Sequence, residues 1–446
     1  MSVVLTYEEG TIRVDGDPGT PLPAVEYDPR SQSGRAPGHE YARLRDALAP
    51  LAVDVDDRVL SLADIGPLES SYELRDYQQA ALDAWETADY QGVLELPTGS
   101  GKTVIALAAI ATLETPTLVV VPTVDLLEQW RGELTREFDL PVGQMGGGTQ
   151  QVEPLTVATY DSAYLRADEL GDQFGFVVFD EVHHLGGEGY RDIARLLAAP
   201  ARLGLTATLE RPDGAHEAVV NLVGERVYAL SPEALAGEHL AAYDIRRIEV
   251  ELTAEERARY EENQSVFTDY LRASNIQMQS GSDYQKLVKR SGSDPEARRA
   301  LLAKQRAREV MMNADAKVDR LADLLARHAD DRVIVFTAHT DLVYRLSDRF
   351  LLPAITSETG AAERREILER FRDGTYSRIV AANVLDEGVD VPDANVAVLL
   401  SGSGSEREFT QRLGRILRPS SKRDRAVLYE LVTEATAEER VADRRR

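Results

Sequence analysis

The sequence predicts an α/β protein with two parallel-sheet lobes, preceded by a small α+β domain and interrupted at the lobe junction by a helical insertion. Three observations lead there. From Tyr77 onward, short apolar runs ("GVLEL", "TLVVVP", "LTVAT", "FVVFD", "RLGLT") alternate with helical or turn-rich connections, the pattern of βαβ units. The alternation stops near Leu252 and mostly helical sequence follows, through about Met312. It then resumes with "RVIVFT", "SRIVAA", "NVAVLL" and "AVLYELV".

In chain order, residues 1–70 place strand-like runs ("VVLTYEEGTIRV") between Pro/Gly-rich turns, ahead of a predicted helix near Tyr41–Ala49. They read as a separate α+β domain. Residues 71–232 form the first lobe and 233–446 the second, which carries the insertion at about 252–312. Within the insertion Tyr260, Phe267 and Leu271 fall on one helical face. A length of 446 residues suits two to four such domains.

A hydrophobic content of 43% is that of a soluble globular protein. No apolar run approaches the roughly 18 residues that span a bilayer, and no charged-then-apolar leader precedes the fold. There are no cysteines, which excludes disulfides and thiolate metal sites and is compatible with a cytoplasmic location. Net charge is −25, and only 6 of the 51 basic residues are Lys. Acid excess with scarce lysine resembles the proteomes of halophilic organisms. The plainer reading is an acidic protein that avoids nucleic acid, and only local motifs can overrule it.

"LELPTGSGKTVIAL" (94–107) ends like a phosphate-binding loop, but Leu96 stands where the opening glycine belongs. Thr98, Gly99, Ser100 and Gly101 follow a strand and open an apolar helix, so backbone N–H groups can converge on phosphate. Lys102 would reach the β/γ-phosphates, and the Thr103 hydroxyl would ligate Mg²⁺. In "FVVFDEVHHL" Asp180 and Glu181 end an apolar strand, one to hold Mg²⁺ and the other to activate water. His183 and His184 bring no Cys or third ligand, so polar coupling to the next motif reads better than metal ligation. Gln411, Arg415 and Arg418 sit at i, i+4 and i+7 of a predicted helix, on one face. An ATPase of two α/β lobes needs such arginines at the γ-phosphate, where a finger is worth about 10³–10⁵ in rate.

Taken together, "LRDYQ" (74–78), "LPTGSGKT" (96–103), "VVPTVDLLEQW" (120–130), "ATYDSA" (158–163), "DEVHH" (180–184) and "LGLTATLERPDG" (203–214) come in the order of superfamily 2 helicases. So do "VIVFTAHT" (333–340), "VLDEGVDVP" (384–392) and "QRLGRILRP" (411–419). A phosphate loop without its first glycine is ordinary there. With "YDPRSQSGRAPGHEY" (27–41) and "AVLYELV" (426–432) included, nearly the whole chain resembles the archaeal XPB-type DNA helicases.

That resemblance implies two RecA-like lobes, ATP and Mg²⁺ as cofactors, and 3′-to-5′ unwinding of DNA in nucleotide excision repair or transcription-related opening. Gln78, helped by Arg75, would read adenine. Thr206 and Thr208 would couple hydrolysis to movement, and Gly388 and Asp390 would line the nucleotide side of the second lobe. Residues 1–70 would be a DNA-probing, damage-recognition-like domain. The partners would be DNA, single-stranded and forked or damaged duplex, and a structure-specific nuclease. The family's Arg-Glu-Asp trio reads Arg211-Pro212-Asp213 here, which puts strand separation by that element in question. The insertion corresponds to a DNA-gripping thumb. Over 285–310 eight basic residues, among them Lys286, Lys289 and Arg290, face three acidic ones. A solvated helix face would explain an ordinary charge run, but this local sign reversal favours phosphate contact. The rival functions are a duplex-DNA translocase that remodels without unwinding, and the motor subunit of a restriction system.

Overall fold

The computed structural model describes residues 2–51, 53–97, 99–187, 189–210, 214–231, 242–274, 276, 281–382, 394–401 and 425–438. Thr98, Arg211, Pro212, Asp213, Gly388, Asp390, Gln411, Arg415 and Arg418 lie outside the described residues. The chain divides into two compact units, one built mainly from residues up to Leu235 and the other from those after it.

Among the described residues the first unit holds two sheets. The N-terminal one comprises β1 (Ser2–Glu8), β2 (Thr11–Gly16), β3 (Glu26–Asp28), β4 (Ser33–Pro37) and β5 (Asp54–Arg58), in the order β3-β4-β2-β1-β5. Glu9 and Gly10 join β1 to β2 with φ of +46° and +83°, the two-residue turn whose twist matches a hairpin. Alternation then points Val3, Leu5, Ile12 and Val14 to one face. That face packs on Leu44 and Leu48 of α1 (Tyr41–Leu48), the helix expected near Tyr41. Each fully buried Leu, Ile or Val there contributes roughly 1.5–3 kcal/mol.

The second sheet contains β6 (Gln91–Glu95), β7 (Thr117–Val121), β8 (Val142–Gly146), β9 (Thr149–Gln151), β10 (Leu155–Thr159), β11 (Phe176–Asp180), β12 (Ala201–Thr206) and β13 (Arg226–Ala229). Its order is β13-β6-β12-β11-β7-β10-β8-β9, parallel except for the β8–β9 hairpin. Every residue of β7, β10, β11 and β12 is buried, as near-continuous apolar runs in a covered parallel sheet should be. The helices around it are α2 (Asp76–Thr87), α3 (Lys102–Leu113), α4 (Val124–Glu137), α5 (Tyr160–Leu165), α6 (Ala167–Leu170), α7 (Arg191–Leu196) and α8 (His216–Val223). Residues 60–75 have neither helix nor strand, yet they are strapped down. Ser61 N donates to Asp172 O at 2.8 Å, Ser70 Oγ to Glu137 at 2.7 Å and Tyr72 OH to Glu133 at 3.0 Å.

In the second unit β14 (Ala242–Val250), β15 (Val333–Phe336), β16 (Ala354–Ile355), β17 (Arg378–Ala381), β18 (Val396–Leu399) and β19 (Arg425–Thr433) form a parallel sheet ordered β14-β19-β18-β15-β17-β16. β14 and β13 were not among the strands expected from sequence. Three helices, Ala254–Ser274, Gly281–Ser291 and Pro295–Met312, fill the stretch read as helical. Asp294 caps the third of them by accepting from Glu296 N and Ala297 N, with Pro295 at its first turn. The face of Tyr260, Phe267 and Leu271 divides between two small cores: Tyr260 packs with Met311, Phe267 and Leu271 with Leu287 and Ala297.

Lys317 and Glu438, 1% and 3% exposed, form a buried ion pair at 2.7 Å. Lys317 Nζ also donates to Leu400 O at 2.6 Å, and Glu438 accepts Thr433 N and Oγ1, so the spare lone pairs are used. Glu438→Ala should therefore strand a buried ammonium and cost about 3–5 kcal/mol. A urea titration that follows the second unit checks this, and an unshifted midpoint would contradict it.

Candidate nucleotide-hydrolysis site

Parallel pairing fixes where the chemistry sits. β6, β12 and β11 are neighbours, so their carboxyl ends lie along one edge of the sheet. The phosphate-loop residues follow β6, Asp180 and Glu181 end β11, and Thr206 ends β12.

Leu96 is fully buried and its backbone stays out of the left-handed region, so no glycine is needed there. Its N–H donates to Thr206 O at 2.9 Å, and its carbonyl accepts from Lys102 Nζ at 3.0 Å. Gly101 is different. Its φ is +81°, and a Cβ there would run into Gln78 Nε2. Gln78 is 4% exposed; it donates from Nε2 to Ser100 O at 2.9 Å and accepts from Arg75 N at Oε1. Tyr77 OH donates to the same Ser100 carbonyl at 2.6 Å. α2 therefore clamps the loop from behind, while the Arg75 side chain is exposed.

The Asp180 carboxylate is buried and accepts Trp130 Nε1 at 2.8 Å and Glu181 N at 3.0 Å. Burial pushes its carboxyl above the ordinary Asp range, against the pull of the Trp130 bond and the Lys102 charge. Tyr160 OH holds the Asp180 carbonyl at 3.1 Å. Glu181 adopts φ +48°, a left-handed conformation that costs a non-glycine residue about 1–3 kcal/mol and clusters at functional sites. His183 Nδ1 lies 3.1 Å from Thr206 Oγ1 and 3.5 Å from Glu181 Oε2. Thr206 Oγ1 in turn donates to Thr208 O at 2.9 Å and accepts Thr208 N at 3.1 Å. Asp180, Glu181, His183, Thr206 and Thr208 are thus joined in one network.

The residues present fit a nucleotide with a divalent cation. Ser100 Oγ is buried without a hydrogen-bond partner among the described residues, in a loop where phosphate oxygens would supply one. Lys102 Nζ donates to loop carbonyls at 3.0 and 3.5 Å, a cation in place for an anion. Thr103, half-buried one residue further on, and the buried Asp180 carboxylate are oxygen donors of the kind Mg²⁺ takes.

Sequence reasoning gave Trp130 no role. It sits on the apolar face of α4 with Leu126, Leu127 and Leu134, a pattern that reads as core. In the second unit the basic stretch is partly committed. Lys286 pairs with Asp283 at 3.0 Å and Arg290 with Asp294 at 3.2 Å, both at the surface, and Lys289 is exposed. Lys304 lies over the rings of Tyr284 and Phe267, at 4.4 and 5.1 Å, and burial lowers its pKa.

Residues 5–59 match the family model of the Xeroderma pigmentosum group B helicase damage recognition domain. Residues 71–211 match the res subunit of type III restriction enzymes, and 316–420 the helicase conserved C-terminal domain. The chain is 42% identical, over the full length of both proteins, to the DNA 3′-5′ translocase XPB2 of Sulfurisphaera tokodaii. It is 30% identical to the DNA 3′-5′ helicase XPB of Mycobacterium tuberculosis, over 82% of this chain and 61% of that one. The Rad25 protein of Halobacterium salinarum matches at 34% over 86% of this chain and 58% of its own. Among solved structures, the Hef helicase domain of Pyrococcus furiosus matches with a TM-score of 0.51 at 20% identity, covering 84% of this chain and 98% of that one. That likeness speaks for the fold alone.

Gly101→Ala should weaken nucleotide binding about tenfold, from a left-handed-conformation penalty of about 1–2 kcal/mol. Titration with a fluorescent ATP analogue measures it, and parental affinity would show that the Gln78 clamp can give way.

Proposed function

The chain belongs to the XPB family of superfamily 2 DNA helicases, and from that premise we propose that it hydrolyses ATP to drive 3′-to-5′ movement on DNA. The work served is the opening of duplex DNA in nucleotide excision repair or transcription-related processes. The single observation that carries this reading is the network joining Asp180, Glu181 and His183 to Thr206 beside the phosphate loop. Within it a change at the γ-phosphate can be felt on two strands at once.

In this reading ATP binds with Mg²⁺, and the cation would supply neutralising charge to the phosphates. Thr103 and Asp180 are the residues to hold the cation. Gly99, Ser100, Gly101 and Lys102 bind phosphate oxygens, and Gln78 with Arg75 recognises the base. Glu181 takes the proton of the attacking water. Thr206 and Thr208, through His183, pass the change on. By resemblance, Gln411, Arg415 and Arg418 supply the finger, and Gly388 and Asp390 line the second lobe's nucleotide side.

The division of labour is 1–70 for DNA probing, 71–232 for ATP binding and 233–446 for the second lobe, with the thumb at about 252–312. DNA contacts fall to Arg211, Asp213, Lys286, Lys289 and Arg290, and a structure-specific nuclease is the proposed partner. Among the described residues no helix is long and apolar enough to cross a membrane. A cytoplasmic location and a salt-loving source complete the proposal. A second reading, translocation on duplex DNA without unwinding, is favoured by Pro212 and by the name of the Sulfurisphaera relative. ATPase assays with single-stranded DNA, duplex DNA and RNA, beside a two-polarity strand-displacement assay, separate the two.

Glu181→Gln keeps the side chain's shape but cannot accept the proton. Hydrolysis should fall about 10²–10⁴-fold while ATP stays bound. Lys102→Ala should lose binding itself. Near-parental turnover in Glu181→Gln would remove it as the base.

At molar salt the Debye length is roughly 3 Å, so long-range attraction to DNA is nearly gone. Short-range contacts then have to hold the DNA, and bidentate Arg–phosphate pairs suit that better than Lys. DNA-stimulated ATPase should persist at molar KCl. Neutralising Lys286, Lys289 and Arg290 together should weaken DNA binding with ATP affinity unchanged. A triple variant that binds DNA like the parent would leave this patch a solvated face.

A further inference from the structure

Arg202 lies on β12, four residues before Thr206, and is 2% exposed. Among the described residues no carboxylate is within ion-pair distance of it. Its guanidinium donates instead to four carbonyls: Ala194 at 2.8 Å, Leu197 at 2.6 Å, Ala199 at 3.1 Å and Leu222 at 2.8 Å. Ala194 and Leu197 belong to the last turn and end of α7, and Leu222 to the last turn of α8. One buried cation therefore serves the negative ends of two helices. Burial lowers its pKa to about 10, opposed by the charge of Glu40, so it stays protonated at neutral pH. A position that needed only packing would be served by an apolar side chain without the cost of burying a charge.

α7 spans six residues. At 1.5 Å per residue it is a rod of about 9 Å. At its first residue Arg191 donates to Gly186 O at 2.8 and 3.2 Å, the end of the turn that carries His183. At its last residue the N-terminal domain takes hold. Tyr7 OH shares its proton between Leu196 O and Asp168 O, each at 3.0 Å, Gly38 approaches Leu196 O too closely to admit a Cβ, and Ala198 lies in the N-terminal core.

We infer that Arg202 is a positioning residue for hydrolysis: it locks α7 and α8 to the strand ending in Thr206, so that the N-terminal domain, gripping the far end of α7, sets the geometry of the Glu181–His183–Thr206 cluster. The inference rests on the motor reading above. A single rigid helix with one end in each place is the physical basis for the coupling.

Tyr7→Phe removes the hydroxyl and both of its bonds but leaves the ring, and Tyr7 is none of the residues assigned to the nucleotide. Hydrogen exchange at amides 182–187 should quicken several-fold in this variant, with or without ATP. DNA-stimulated kcat should fall about three- to tenfold while the KM for ATP stays within about twofold. Arg202→Lys should retain part of the parental kcat, and Arg202→Met much less; if the Met variant fails to fold, Tyr7→Phe decides alone. Parental exchange at 182–187 in Tyr7→Phe overturns the link. Quickened exchange with a parental kcat overturns its role in hydrolysis. A parent without DNA-stimulated ATPase would sink the motor reading instead, and the exchange comparison would still judge the link.

Discussion

Thr206 O accepts the N–H of Leu96 at 2.9 Å, and this bond continues the β6–β12 ladder one step beyond the strands. It holds the start of the phosphate loop against the carboxyl end of β12. With β11 paired on the other side of β12, register alone brings loop, carboxylates and Thr206 into line. A slip of one residue would turn Thr206 to the opposite face and break its bond with His183. Helices, clamps and caps around the sheet refine a geometry that strand register has already decided.

Much of this could be read from the chain because strand ends and glycine turns leave local marks. The apolar runs near 93, 117, 155, 176 and 201 became β6, β7, β10, β11 and β12. β8 escaped because "VGQMG" lacks alternation and carries two glycines. β14 escaped because charges at Asp244, Arg246, Arg247 and Glu249 hide its period. Two side chains were illegible for another reason. Arg202 sits within a run that reads as apolar strand, and its four carbonyl partners come from segments brought together only by folding. Lys304 counted as one more positive charge, although three helices had to meet before it lay between two rings. Sequence shows residue types and spacing, whereas the burial of a charge is a property of the assembled fold.

The acid excess bears on which interactions can sustain that fold. Many surface ion pairs are Arg with Glu or Asp one helical turn apart, such as Arg136–Glu133 at 2.6 Å and Arg166–Glu169 at 2.7 Å. Exposed pairs of this kind are worth about 0–1 kcal/mol and weaken with salt. Lys317–Glu438 and the Arg202 carbonyl cage are out of reach of such screening. Electrostatic stability in concentrated salt therefore falls to a few interior groups, and the surface charge serves solubility.

The pairing of β14 with β19 has a consequence for how the protein is made. Ala242 pairs with Arg425, a separation of 425 − 242 = 183 residues, and all nine residues of β14 depend on that partner. At 5–20 residues per second the ribosome leaves β14 waiting roughly 10–40 s before its partner has been synthesised. An unpaired strand of that length invites association with other nascent chains. The four charged residues that obscured β14 in the sequence give it protection during the wait. Charges on a strand oppose pairing with copies of itself while its proper edge is absent.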